Sequence, residues 1–122
     1  MEKIKVLIAD DHRVVREGLA AILKTKDDIH IVGEAQDGME AVEKVRTLVP
    51  DVVLMDVSMP RMGGVEATRQ IKREFPHIGI VALTMYDEQQ YIFDLVRAGA
   101  TGYLLKDSES SQIVAAIRAI YK

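Results

Sequence analysis

Two hydrophobic patterns alternate along the chain. Short, nearly unbroken apolar runs rich in β-branched residues occupy positions 4–9, 29–33, 52–55, 78–83 and 102–105. A strand covered on both faces needs apolar side chains at successive positions, so these runs predict buried parallel strands. Between them, apolar residues recur at three- and four-residue spacing. Val15, Leu19, Ile22 and Leu23 share one helical face, and Ala41, Val42, Val45 and Leu48 a second. Ala67, Ile71 and Phe75 mark a third helix, Ile92, Leu95 and Val96 a fourth, and Ile113, Ile117 and Ile120 a last one running to the end of the chain. Asp37 with Glu40, and Asp87 with Gln90, have the spacing of capping boxes. Gly99 suits a left-handed C-cap, while Pro50, Pro60 and Pro76 stand between elements. Gly18 falls inside the first helix, where it costs about 1 kcal/mol against alanine. Five strands alternating with five helices predict an α/β fold, a single three-layer domain with helices on both faces of a parallel sheet.

Composition narrows the function classes. The 122 residues fit one domain, which at this size buries roughly two-thirds of its unfolded surface without needing a staple. There are no cysteines, which excludes zinc-thiolate sites, iron–sulfur clusters and thiol catalysis. No apolar stretch approaches the roughly 20 residues of a membrane span. The opening apolar run is too short for a signal peptide and ends in Asp10 and Asp11. These features lead us to expect a soluble cytoplasmic protein without a membrane partner. The net charge is −3 and the basic residues are scattered, so no basic face for direct DNA contact is expected.

The candidate chemistry lies at the strand ends, where such folds bind ligands. Asp10 and Asp11 follow the first run, Asp56 the third, Thr84 the fourth and Lys106 the fifth, while Glu34 follows the second. Singly, each has an ordinary reading: Asp11 as a helix cap, Thr84 as a β-branched strand residue, Lys106 as a loop lysine. Together they bring three carboxylates, a hydroxyl and an ammonium to one sheet edge. Crowded carboxylates raise a pKa or recruit a cation. A hard divalent ion such as Mg²⁺ suits an all-oxygen site that also handles phosphate. A carboxylate can itself attack phosphorus, with cation, lysine and hydroxyl holding the transferring group. Spacing leaves open which aspartate is the nucleophile. The Pro60, Gly63 and Gly64 loop after Asp56 predicts a tight, partly rigid course. His12, His30 and His77 show no ligand spacing, and the six methionines read as core and loop filler.

Asp10-Asp11, Leu54-Met55-Asp56-Val57-Ser58-Met59-Pro60 with Gly63-Gly64, Leu83-Thr84, and Gly102-Tyr103-Leu104-Leu105-Lys106 together resemble the receiver domain of two-component response regulators. The resemblance covers essentially the whole chain. Leu83-Thr84-Met85-Tyr86-Asp87, the segment from Gly99 to Asp107, and the last helix resemble the subfamily with a C-terminal LuxR-type helix-turn-helix. The resemblance implies the flavodoxin-like strand order 2-1-3-4-5, which the chemotaxis regulator shares.

The resemblance also implies roles. Asp56 would be the phosphoacceptor. Asp11, Asp56 and the Ser58 backbone carbonyl would ligate Mg²⁺ (or Mn²⁺), with Asp10 assisting through water. Thr84 and Lys106 would hold the phosphoryl oxygens, and Tyr103 would be the aromatic switch that turns inward. The implied function is a phosphorylation-activated switch that is not an enzyme on a separate substrate but assists its own phosphorylation and dephosphorylation. Its implied partners are a sensor histidine kinase and a second copy of itself on phosphorylation, with DNA reached only through a further C-terminal domain. A stand-alone receiver or phosphorelay intermediate is the alternative. Residues 1–122 would be the receiver domain alone. Departures from the family pattern include Asp107 after Lys106, where many receivers have a proline often preceded by a cis bond, and the bulky Met85 after Thr84. Ser58 and Tyr86 hold positions that tune dephosphorylation in the family. Rival readings are an aspartyl phosphohydrolase, which often has a second acid where Ser58 stands, a flavin or nucleotide module, which lacks its GxxxxGK[ST] loop here, and a docking-only pseudo-receiver.

Overall fold

The computed structural model describes residues 2–122, with the backbone alone for Tyr86. Five strands, β1 (Ile4–Ala9), β2 (Ile29–Ala35), β3 (Val52–Asp56), β4 (Gly79–Thr84) and β5 (Gly102–Leu105), alternate with α1 (Arg13–Lys24), α2 (Gly38–Leu48), α3 (Gly64–Glu74), α4 (Ile92–Ala98) and α5 (Ser110–Tyr121). The strands form one parallel sheet in the order β2-β1-β3-β4-β5.

Strand alternation divides the core between two faces. From β1, Val6 and Ile8 enter one layer with Leu19 and Leu23 of α1 and Ile113 and Ile117 of α5. Leu7 and Ala9 enter the other, with Val42 and Val45 of α2 and Ile71 of α3. Leu95 of α4 closes that second face against Ala82 and Val57. The central strands β1, β3 and β4 are buried almost throughout, whereas β5 at the edge is only partly covered and exposes Tyr103.

The sequence expectations meet the structure closely, with boundary changes. β2 runs on to Ala35 and β4 begins at Gly79, and Asp56 and Thr84 are the last residues of their strands. The fourth helix departs most. The spacing Asp87–Gln90 does not make a cap. A 3₁₀ turn over Tyr86–Tyr91 precedes α4, and Met85 stands at its N-cap with its N–H donated to Glu88 Oε1 at 2.9 Å. Only Ile92–Ala98 is α-helical, which turns Leu95 and Ala98 inward and leaves Val96 57% exposed, contrary to its expected place on the buried face. The other box holds at its first half: Asp37 accepts the Glu40 N–H at 2.8 Å, while Glu40 reaches back to the Gln36 N–H. Gly99 ends α4 at φ 104°, a left-handed conformation that an L side chain resists. The last helix stops at Tyr121, one residue before the end of the chain.

Leu54 is fully buried in β3, and Val14 on α1 is 81% exposed. Leu54→Ala is expected to cost about 3 kcal/mol of unfolding free energy. Val14→Ala is expected to change it by less than about 0.5 kcal/mol. Urea denaturation of the two variants measures both.

Candidate functional site

Register delivers the polar residues to one edge. Ala9 pairs with Met55, so Asp10 emerges beside Asp56; Thr84 pairs with Leu105, so Lys106 emerges beside Thr84. Parallel pairing points every carboxyl end the same way, and the next residue of each strand meets its neighbours there.

Asp10, Asp56 and Thr84 are buried. Lys106 Nζ lies 3.0 Å from Asp10 Oδ2 and 3.1 Å from Asp56 Oδ1. The contact to Asp10 Oδ2 is close but poorly aligned, so that oxygen has no hydrogen-bond donor. Asp10 Oδ1 accepts the His12 N–H at 2.8 Å, and Asp56 Oδ1 accepts the Ser58 N–H at 3.3 Å. Asp56 Oδ2 is buried without a partner. A native structure seldom leaves such an oxygen unmatched, because desolvation without a hydrogen bond costs about 1–3 kcal/mol. Thr84 Oγ1 reaches the Leu104 carbonyl at a long 3.5 Å, so its hydroxyl is weakly held.

One ammonium faces two buried carboxylates, and the electrostatics follow. Burial foremost, and then the Asp10 charge, push the Asp56 carboxyl up to about 7 from its ordinary 3.8, against the opposing pull of Lys106 and the Ser58 N–H. Burial draws the Lys106 ammonium down, but its contacts with Asp10 and Asp56 outweigh that and hold it above the ordinary lysine range.

A candidate metal site forms here. Asp10, Asp11, His12 and Asp56 each offer a ligand atom, all within 4.8 Å of one another. The unmatched Asp56 oxygen and the excess negative charge fit a hard cation. The sequence pattern does not single out His12 for this set. Its Nδ1 lies 3.2 Å from Asp11 Oδ1 and 3.4 Å from Asp10 Oδ1, and the only sequence sign is its adjacency to the acidic pair. Asp11 is not the cap of α1, since His12 occupies the N-cap position without a side-chain bond. Glu34 stands apart from the cluster. It takes the Arg16 Nε–H at 3.1 Å, and Arg16 in turn donates to the Asp10 carbonyl at 2.6 Å.

Two loops frame the site. After Asp56, the Gly64 N–H donates to the Val57 carbonyl at 2.9 Å, and a Cβ at Gly64 would overlap the Asp56 carbonyl oxygen, so only glycine allows this close return. Arg61, at φ 65°, pairs with buried Asp37, and the Gly38 N–H bonds the Met62 carbonyl at 2.9 Å, which ties this loop to the start of α2. On the other side, Ser58 Oγ donates to Glu88, whose second oxygen holds the Met85 N–H. Met85, Ser58, Glu88, His12, Asp56 and Lys106 line a cavity of about 290 Å³. Met85 lines it while remaining 51% exposed. The Lys106–Asp107 bond is trans, as are all peptide bonds among the described residues. The Tyr86 side chain lies outside the described residues, so its expected tuning role has no structural counterpart here.

The profile of the response regulator receiver domain matches residues 6–118. The chain belongs to that family. It is 46% identical over 120 residues to the oxygen regulatory protein NreC of Staphylococcus carnosus, a match covering 98% of this chain and 55% of NreC. The chain thus spans about half the length of that relative. In structure it superposes on the signal receiver domain of the putative response regulator NarL from Mycobacterium tuberculosis with a TM-score of 0.92 and 34% identity, covering 99% of this chain and 98% of that one. A LuxR-family two-component response regulator from Aurantimonas sp. SI85-9A1 matches with a TM-score of 0.91 and 35% identity over 98% of this chain and 86% of that one. The receiver fold, the strand order and the response-regulator family therefore stand as expected. No helix among the described residues is long and apolar enough to cross a membrane.

The raised Asp56 pKa has a stability consequence with a definite sign. Between pH 4 and 7 the folded carboxyl keeps a proton that the unfolded chain has lost, so this group's contribution falls as pH rises through about 7. Metal-free Asp56→Asn is therefore expected to exceed the wild type in stability by roughly 1–2 kcal/mol at pH 8, with the gap closing by pH 4. Thermal melts across pH, with and without a divalent cation, test this; the cation is expected to stabilise the wild type more than the variant.

Proposed function

We propose that this receiver domain is a switch whose Asp56 accepts a phosphoryl group from a histidine kinase. The observation that carries the assignment is the Asp56 carboxylate itself: it lines the cavity beside Lys106, and one of its oxygens has no partner. Asp10 likewise has one engaged and one unmatched oxygen, but it does not line that cavity. Asp11 is exposed, and its close neighbour is the His12 imidazole, whereas Lys106 pairs with the other two aspartates.

In the proposed step an Asp56 oxygen attacks phosphorus, a P–O bond forms, and the P–N bond to the donor imidazole breaks with its electron pair leaving on nitrogen. Lys106 stays protonated and balances charge on the phosphoryl oxygens. Asp11, Asp56 and the Ser58 carbonyl, with Asp10 in support, would hold Mg²⁺, which supplies Lewis-acid neutralisation of the transferring group. The same residues serve the reverse loss of phosphate to water, so the domain assists both its own phosphorylation and its dephosphorylation. Thr84, whose hydroxyl has only a long bond to give up, turns toward the phosphoryl oxygen. That movement makes room behind β4 for Tyr103, now 48% exposed on β5, to turn inward. The rearranged β4–α4 and β5 surface then favours a homodimer and an output carried by a separate domain. DNA contact through a C-terminal helix-turn-helix is the form of output that the likeness to LuxR-family regulators supports, in the cytoplasm where such regulators act.

Incubation with a small phosphodonor and Mg²⁺ is expected to add one phosphoryl group to the wild type, as a base-labile adduct seen in the intact mass. Asp56→Asn is expected to abolish it, and stoichiometric labelling of that variant sinks the assignment. Thr84→Val is expected to accept phosphoryl but to lose most of the Tyr103 ring-resonance change that follows phosphorylation in NMR spectra.

A further inference from the structure

Glu88 is not accounted for by the switch chemistry, yet it occupies a distinctive place. It is half-buried, and it lines the same cavity as Asp56, Lys106 and Met85. One carboxylate oxygen takes the Ser58 hydroxyl, and the other takes the Met85 N–H. Ser58 is itself bonded through its N–H to Asp56 Oδ1, and Met85 follows Thr84 in the chain. A continuous tether therefore runs from Asp56 through Ser58 and Glu88 to the residue after Thr84. It runs along the lining of the cavity that Asp56, only 1% exposed, shares with Ser58, Met85 and Glu88. The bridge joins the loop after β3 to the turn before α4, beside the acceptor.

We propose that Glu88 is an anionic gate on the phosphoacceptor, holding the entrance closed in the resting domain and opposing any phosphoryl group that enters. This rests on Asp56 being the acceptor. A phosphoryl group carries about two negative charges near neutral pH. Placed in a cavity lined by Glu88, it meets like charge at short range, and because both Glu88 contacts lie at exposed positions the repulsion is sensitive to salt. The repulsion acts on the Ser58–Glu88 bond, because Glu88 can swing toward solvent while Asp56 ends β3 and is held by the sheet. Once that bond is broken, Met85 loses its side-chain acceptor and the turn before α4 is free to follow Thr84. Glu88 is thus a positioning residue that sets the threshold for the switch and disfavours small anionic donors.

The test separates charge from capping, because Gln at this position accepts the Met85 N–H with its amide oxygen and donates its amide N–H to the Ser58 hydroxyl, so the tether is kept with one bond reversed and the charge is removed. The probe is beryllofluoride with Mg²⁺, titrated into wild type, Glu88→Gln and Ser58→Ala and followed by amide shifts. Glu88→Gln is expected to bind it on the order of tenfold more tightly than wild type, an effect that shrinks in high salt. Ser58→Ala, which unties the gate but leaves its charge, is expected to give a smaller gain and to shift the Met85 amide in the unliganded protein. Equal affinity of Glu88→Gln and wild type overturns the gate while leaving the Asp56 reading intact. Failure of the wild type to bind beryllofluoride at all removes both.

Discussion

Asp10 and Asp56 are buried side by side at the carboxyl ends of neighbouring central strands, and Lys106 is the one cation among the described residues in contact with both. A parallel sheet enforces this crowding. Its strands end together, so acidic residues that follow adjacent strands cannot move apart without breaking the register that buries Leu54, Val81 and Leu83. Desolvation then raises the energy of the ionised pair, and one ammonium does not cancel two charges. The site is left short of positive charge and of hydrogen-bond donors, a deficit that a divalent cation would fill. The hydrophobic layers on either side of the sheet hold the carboxylates in place against their own repulsion.

Much of this is legible in the chain. Apolar runs such as 52–55 and 4–9 are diagnostic because a doubly covered strand is what such short runs suit, and the residue that closes each run falls on the ligand-binding edge. That logic reaches Asp10, Asp56, Thr84 and Lys106 without any knowledge of side-chain geometry. It does not choose among the aspartates, since choice depends on which carboxylate faces the cavity. Residues whose role comes from a partner distant in sequence are invisible to it. Glu88 and Ser58 lie thirty positions apart, and Asp37 and Arg61 twenty-four. The fourth helix departs from its pattern at its start and at Val96 for a related reason. The acid-and-glutamine spacing at Asp87 and Gln90 is a local signal, and it loses to Glu88 capping Met85 just ahead of it.

The arrangement also explains why the domain can be a switch and remain well folded. The groups proposed to respond to a new charge, Thr84 and the turn over Tyr86–Tyr91, lie beyond the end of β4 or at its last residue. The packed interior of the sheet ends before them. A hydroxyl held by one long bond, and a turn tied to the opposite loop through the Glu88 carboxylate, can exchange partners at small cost, whereas the strands beneath carry the stability.

The ties between Asp37 and Arg61 and between Gly38 and Met62, with the close return at Gly64, have a mechanical consequence. They stiffen the flank of the site after β3, while the turn after β4 is tied across the site through the Glu88 side chain. Stress introduced between a stiff wall and a compliant one is relieved by the compliant one. The direction in which the domain deforms is therefore written into the difference in anchoring between its two loops, and α2, behind the stiff wall, acts as a fixed abutment against which the far side moves.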